Sequence, residues 1–147
     1  MDFFWYLACH KKGVRNFFLA QMLLENMEVK SFTPLVIDKK KRCGELRSAI
    51  KSLFPGYFFV YFNPLKQRIR DIESVPGFSH FVKFGVELKP LRSEVINQVM
   101  EMQSALTDDY LKKERIPDEI PNELVNIFHM NDEHEKFLHF CKYAKIY

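Results

Sequence analysis

Apolar and polar positions fall into blocks along this chain, and each block carries its own period. Phe3 to Cys9 is a short aromatic and aliphatic run closed by Lys11-Lys12-Gly13, which predicts a buried strand. Val14 to Met27 contains neither Gly nor Pro and is made mostly of good helix formers. Val14, Phe17, Phe18, Met22, Leu24 and Met27 cover a broad face of that helix, so it is expected to be well buried. From Val29 to Ile37, β-branched and aromatic residues surround Pro34, which cannot donate to a ladder; an edge strand or a broken strand is predicted. Asp38 to Arg47 is polar and basic around Gly44 and reads as a long hairpin tip. Leu53 to Phe62 is the strongest strand, because its unbroken apolar character from Tyr57 onward implies burial on both faces. Asn63-Pro64 ends it, Gln67 to Ser74 can form a short helix, and Pro76-Gly77 is a turn. A further strand runs from Phe78 to Phe84 and stops at Gly85. Ser93 can cap a helix from Glu94 to about Leu106, with Val95, Ile96, Val99, Met100 and Met102 on its buried side.

The order β-α-β-β-α-β-α over residues 1–105 predicts an α+β domain, with a mainly antiparallel sheet of about four strands flanked by helices. Residues 106–121 are charged, carry two prolines and read as a linker. Residues 122–147 read as a helical C-terminal tail, Asn122 to Met130 and Glu133 to Ile146, with Asn131-Asp132 as break and cap. Phe137, Phe140 and Tyr143 recur near the helical period and form an apolar stripe that must be buried somewhere.

Composition narrows the class. The 147 residues suffice for one compact domain plus a tail, and with 47% apolar residues and 15 Phe a core needs neither disulfide nor metal. A net charge of +3 is too small to announce a nucleic-acid binder. Local clusters say more: Lys11-Lys12, Lys39-Lys40-Lys41-Arg42, and Arg68 with Arg70 favour a polyanion, although solvated loops would account for them equally well. Cys9, Cys43 and Cys141 are odd in number and share no metal or redox spacing, which suits a reducing, cytoplasmic setting. The N-terminus lacks a basic region followed by a long apolar stretch, so no signal peptide is expected. Nor is there a run of about 18 apolar residues. His129, His134, His139 and Cys141 lack ligand spacing, and nucleophile-elbow and phosphate-loop patterns are missing. The expectation is a binding protein, with no enzyme activity, metal or cofactor.

Three segments together resemble the N-terminal domain of the NusG/RfaH family of transcription elongation factors. They are Trp5-Tyr6-Leu7 followed by Lys11, Lys12 and a helix; Leu53-Phe54-Pro55-Gly56-Tyr57-Phe58-Phe59-Val60; and Gly77-Phe78-Ser79-His80-Phe81-Val82-Lys83-Phe84-Gly85. The last is more similar to the RfaH branch than to housekeeping NusG. The resemblance covers about the first 100 residues in the family's order. It implies a NusG N-terminal-type sandwich acting as a monomer on the clamp helices of the largest RNA polymerase subunit, touching the non-template DNA strand and reducing pausing. The residues it implies for polymerase binding are Phe54, Pro55, Tyr57, Phe59, Phe84 and Ile96. Tyr57 and Phe59 share a strand face, as hot-spot anchors would. Read without the resemblance, such residues more often simply fill a core. For DNA the resemblance implies Lys11 and Lys12, at a helix start that can hold a phosphate, and His80, placed to stack on a base.

Two departures qualify it. Pro76 and Phe17 stand where the RfaH branch carries basic residues, so its DNA element should not be assumed. Family members normally end in a KOW β-barrel whose turns need Gly, and the last 62 residues here contain none. A helical tail over the polymerase-binding face is one expectation, and an added packing element is the other. The alternative function is a KOW-less paralogue that competes for the clamp and inhibits antitermination.

Overall fold

The computed structural model describes residues 3–105 and 120–147. Residues 106–119, most of the expected linker, lie outside the described residues. Four strands make the main sheet: β1 (Phe4–His10), β2 (Lys30–Phe32), β5 (Tyr57–Phe62) and β6 (Phe78–Phe81), in the order β2-β5-β1-β6. All three pairings are antiparallel, with Leu7 opposite Phe59 and Cys9 opposite Tyr57 at the centre. β3 (Leu35–Arg42) and β4 (Glu45–Ser52) form a separate two-stranded ribbon. The chain is thus an α+β sandwich with an antiparallel four-stranded sheet and C-terminal helices.

Strand alternation divides the core in two. Tyr6, Ala8, Phe58, Val60 and Phe62 pack with α1 (Val14–Asn26) and α2 (Ile69–Glu73) on one face. Leu7 and Phe59 pack with α3 (Ser93–Ala105), α4 (Asn122–His129) and α5 (Glu133–Tyr143) on the other. Burial of both faces explains why β5 is apolar at every position.

Several boundaries differ from the sequence reading. Helix α1 buries only Phe17, Ala20 and Leu24, while Phe18 and Met22 are 40% and 55% exposed. The sheet covers one stripe of the helix, so the broad apolar face overstated its burial. The expected hairpin tip is ordered ribbon down to a two-residue turn, because Cys43 and Gly44 both take left-handed φ (54° and 78°) that closes a tight hairpin. Pro34 does break the strand, separating β2 from β3. Leu53 to Gly56 is a turn, with Tyr57 N donating to the Phe54 carbonyl, so β5 begins only at Tyr57. Ser93 lies inside α3; the Arg92 carbonyl accepts from Val95 and Ile96, so Arg92 takes the capping position.

Gly77 fixes how β6 meets α1. Its φ is +90°, and a Cβ there would lie 2.4 Å from the Asn16 carbonyl oxygen. Only glycine lets the turn press against the helix backbone. The Gly77 carbonyl then accepts from Lys11 N at 2.8 Å, tying the start of α1 to the sheet edge.

Candidate functional site

Of the six residues expected to bind polymerase, Phe54, Phe59 and Ile96 are fully buried members of the second core, and Tyr57 and Phe84 pack against it half-buried. The alternation of β5 puts Tyr57 and Phe59 on one face, and the turn before it folds Phe54 back onto them. Phe54 stacks on Tyr57 with ring centroids 4.7 Å apart. Pro55 sits beside the cluster and lines a cavity of about 160 Å³ under the α4–α5 turn. The structure therefore brings Phe54, Tyr57 and Phe59 into ring contact, joins Phe84 to them through Phe137, puts Ile96 of α3 in the same core and leaves Pro55 at its border.

That face is covered. Phe137 of α5 stacks on Tyr57 at 4.6 Å and an interplanar angle of 15°. Phe140 lies 5.1 Å from Phe54 and 5.7 Å from Phe59. Tyr143, one turn further, donates its hydroxyl to Gln98 Oε1 of α3 at 2.7 Å. The stripe predicted on the tail is what meets the sheet. Leu124, Val125, Ile127 and Phe128 of α4 complete the cover. Phe84 is held by Phe137 at 6.1 Å and by Tyr147 at 4.9 Å.

Burial sets the ionisation of this interface. It pushes the Tyr57 phenol up to about 12, with nearby Cys9, Cys141 and Glu133 adding to the rise. The thiols of Cys9 and Cys141 are pushed to about 11 and about 12, again chiefly by burial. All three stay neutral at working pH, so the two thiols are poor nucleophiles.

Lys136 is the residue that sequence reading missed. It is buried, its Nζ donates to the Leu53 carbonyl at 2.9 Å, and burial lowers its pKa despite Glu133 nearby. A signal existed: Lys136, Phe140 and Tyr143 fall at i, i+4 and i+7, on one helical face. Arg92 also ties the tail down, donating from a guanidinium N–H to the Tyr143 carbonyl at 3.3 Å.

The residues expected at DNA are more dispersed. Lys11 and Lys12 are exposed in the bend before α1, whose N-cap Gly13 offers no side-chain cap. His80 pairs with Cys9 across β1–β6 and lines an open groove with Tyr57, Phe84, His134 and Phe137. Its Nδ1 lies 2.9 Å from Ser79 Oγ. The two lysines do not line that groove. The bond from Lys11 N to the Gly77 carbonyl brings them to the same end of the sheet, without joining the three in one cluster. Among the described residues, no three His, Cys, Asp or Glu gather as a metal site would need, and no helix is long and apolar enough to cross a membrane.

An antiparallel four-stranded sheet between two helical layers, with an aromatic face under the second layer, defines the chain as an α+β sandwich. A family model described as "Transcription termination factor nusG" matches residues 3–100. The chain belongs to the NusG family of transcription factors. A solved structure described as "Domain interaction in Thermotoga maritima NusG" is similar at 20% identity and a TM-score of 0.46, over 71% of this chain. This chain spans 59% of that one's length.

Proposed function

We propose that the chain is a transcription elongation factor of the RfaH type that binds the RNA polymerase clamp through the face carrying Phe54, Pro55, Tyr57, Phe59, Phe84 and Ile96. Residues 1–105 form the binding domain, 106–121 the linker, and 122–147 a helical tail that must leave before the polymerase can dock. Lys11, Lys12 and His80 contact the non-template strand, and the bound factor reduces pausing. The observation that carries this reading is the cover itself. Phe54, Tyr57 and Phe59, three of the residues expected to bind polymerase, form one aromatic cluster, and Phe137 and Phe140 occupy it in the free chain. Clustered aromatic anchors are what interface hot spots need, and a docked tail keeps them from water until the partner arrives.

The test is a polymerase-binding and pausing assay on chains ending near Pro117 and on the full chain. The shortened chain is expected to bind core polymerase more tightly. Adding Tyr57→Ala and Phe59→Ala to it should cost about 2–4 kcal/mol of that affinity. The proposal fails if the double substitution leaves the affinity unchanged in a chain that is folded by circular dichroism. Readthrough of a pause site separates a factor that reduces pausing from a competitor that merely occupies the clamp.

A further inference from the structure

Strand β2 is one edge of the main sheet, and an open cavity of about 670 Å³ lies beside it. None of its lining residues is among the six proposed to bind polymerase. Strand alternation gives the cavity two unlike walls. Ser31 pairs with Val60 and so faces the layer of α1, whose Glu25 lines the same side, with Glu28 just past the helix end. Phe32 pairs with Phe59 and faces the other layer, where Trp5 and Met100 complete an apolar wall. Lys30 follows Phe32 to that side of the strand, away from the side of Ser31. We propose that this cavity is a binding site for a small organic cation, a protonated amine or guanidine carried on an apolar body.

Two local costs of the fold converge on the cavity. Ser31 Oγ is buried with no hydrogen-bond partner, the one such side-chain atom among the described residues. An unpaired buried hydroxyl destabilises the free chain. Glu28 follows the C-cap Met27 with a φ of 62°, the left-handed position that glycine normally takes at a helix end. A bound cation gives both a use. Rotation about χ1 turns the Ser31 hydroxyl toward the cavity it lines, where an ammonium or guanidinium donates to it. The carboxylates of Glu25 and Glu28, both exposed, complement its charge. Trp5 offers the best ring face for a cation, and Phe32 and Met100 take the apolar body. The volume falls within the range of about 300–1,000 Å³ typical of small-ligand sites, which are mostly apolar with a few placed polar groups. A peptide added as a further strand is disfavoured. The edge is only three residues long, and the carbonyl of its middle residue, Ser31, already accepts from Gln21 Nε2 at 3.2 Å.

Trp5 is the single tryptophan of the chain, so its emission reports on the cavity. The experiment titrates the full chain with phenylbutylamine, and with phenylbutyrate as a probe of the same body and opposite charge. The amine is expected to give a saturable change in Trp5 emission and to shift the Ser31 and Phe32 amides in NMR spectra. The carboxylate should bind at least about tenfold more weakly, because it meets two like charges. Glu25→Gln with Glu28→Gln should weaken the amine about two- to thirtyfold, the worth of two exposed ion pairs. Ser31→Ala separates a ligand site from a packing role: it should raise the urea midpoint of the free chain and weaken amine binding at once. Glu28→Gly should do the same by relieving the left-handed φ. Equal binding of amine and carboxylate overturns the proposal, as does amine binding that the paired Gln substitutions leave unmoved. A Ser31→Ala chain that is less stable and binds the amine as before also overturns it. Tighter binding of a short Lys-Phe peptide than of the free amine would make the occupant a partner's side chain, and the small-molecule assignment would fall.

Discussion

Phe140→Ala attacks the contact on which release of the tail depends. The Phe140 ring is fully buried, with centroids 5.1 Å from Phe54, 5.7 Å from Phe59 and 6.0 Å from Phe128. Truncating such a ring in a packed site costs about 3–5 kcal/mol, because the transfer free energy is lost and the cavity closes only in part. The partners across the cavity belong both to the sheet domain and to α4, so the loss falls largely on the docked state. At about 1.4 kcal/mol per decade, opening of the hairpin should become a hundred- to several-thousand-fold more frequent. Native-state hydrogen exchange reads this directly. Amides of α5 and of its C-cap Ala144, which donates to the Phe140 carbonyl at 2.8 Å, should exchange faster by that factor. Amides of α1, packed on the opposite face of the sheet, should change little. If α1 and α5 lose protection together, the hairpin and the sheet unfold as one unit, and the reasoning that treats the tail as a separable cover is refuted.

Two further outcomes follow from the sheet itself. Gly77→Ala adds a Cβ 2.4 Å from the Asn16 carbonyl oxygen at a φ of +90°; the strain and the forced shift should cost about 2–5 kcal/mol, and an unchanged urea midpoint would show that the turn can move away from α1. His10 is buried, its Nδ1–H donates to the Lys11 carbonyl at 2.7 Å, and burial lowers its pKa, with the carbonyl bond working the other way. The unfolded chain then binds the proton more readily, so the contribution of His10 is intact above about pH 6.5 and is lost as pH falls toward the lowered folded value. Urea unfolding at pH 7.5 and 5.5 should show a larger loss for the wild type than for His10→Gln; equal losses would remove His10 as the cause.

Local pattern alone located the four strands of the main sheet, the helices and the break at Pro34, but not β4 (Glu45–Ser52), which the polar run had hidden. Each rests on short-range physics: a ring that cannot donate at Pro34, an unbroken apolar run at Tyr57 to Phe62, and the period of Phe137, Phe140 and Tyr143. The motif around Leu53 to Val60 placed Tyr57 and Phe59 on one face, because strand side chains alternate. Which surface each apolar stripe meets is a matter of long-range pairing, and only the tertiary structure decided it. The apolar residues of α1 were visible, but that the sheet would cover Phe17 and leave Phe18 and Met22 in water was not. The period of α5 required burial somewhere, and the structure put it on Tyr57 and Phe59 and not on α1. Lys136 reads as a surface lysine because charge is the strongest local cue to exposure. It is buried because its stem lies on the stripe that docks and the Leu53 carbonyl, 83 residues away in the chain, accepts a hydrogen bond from its Nζ.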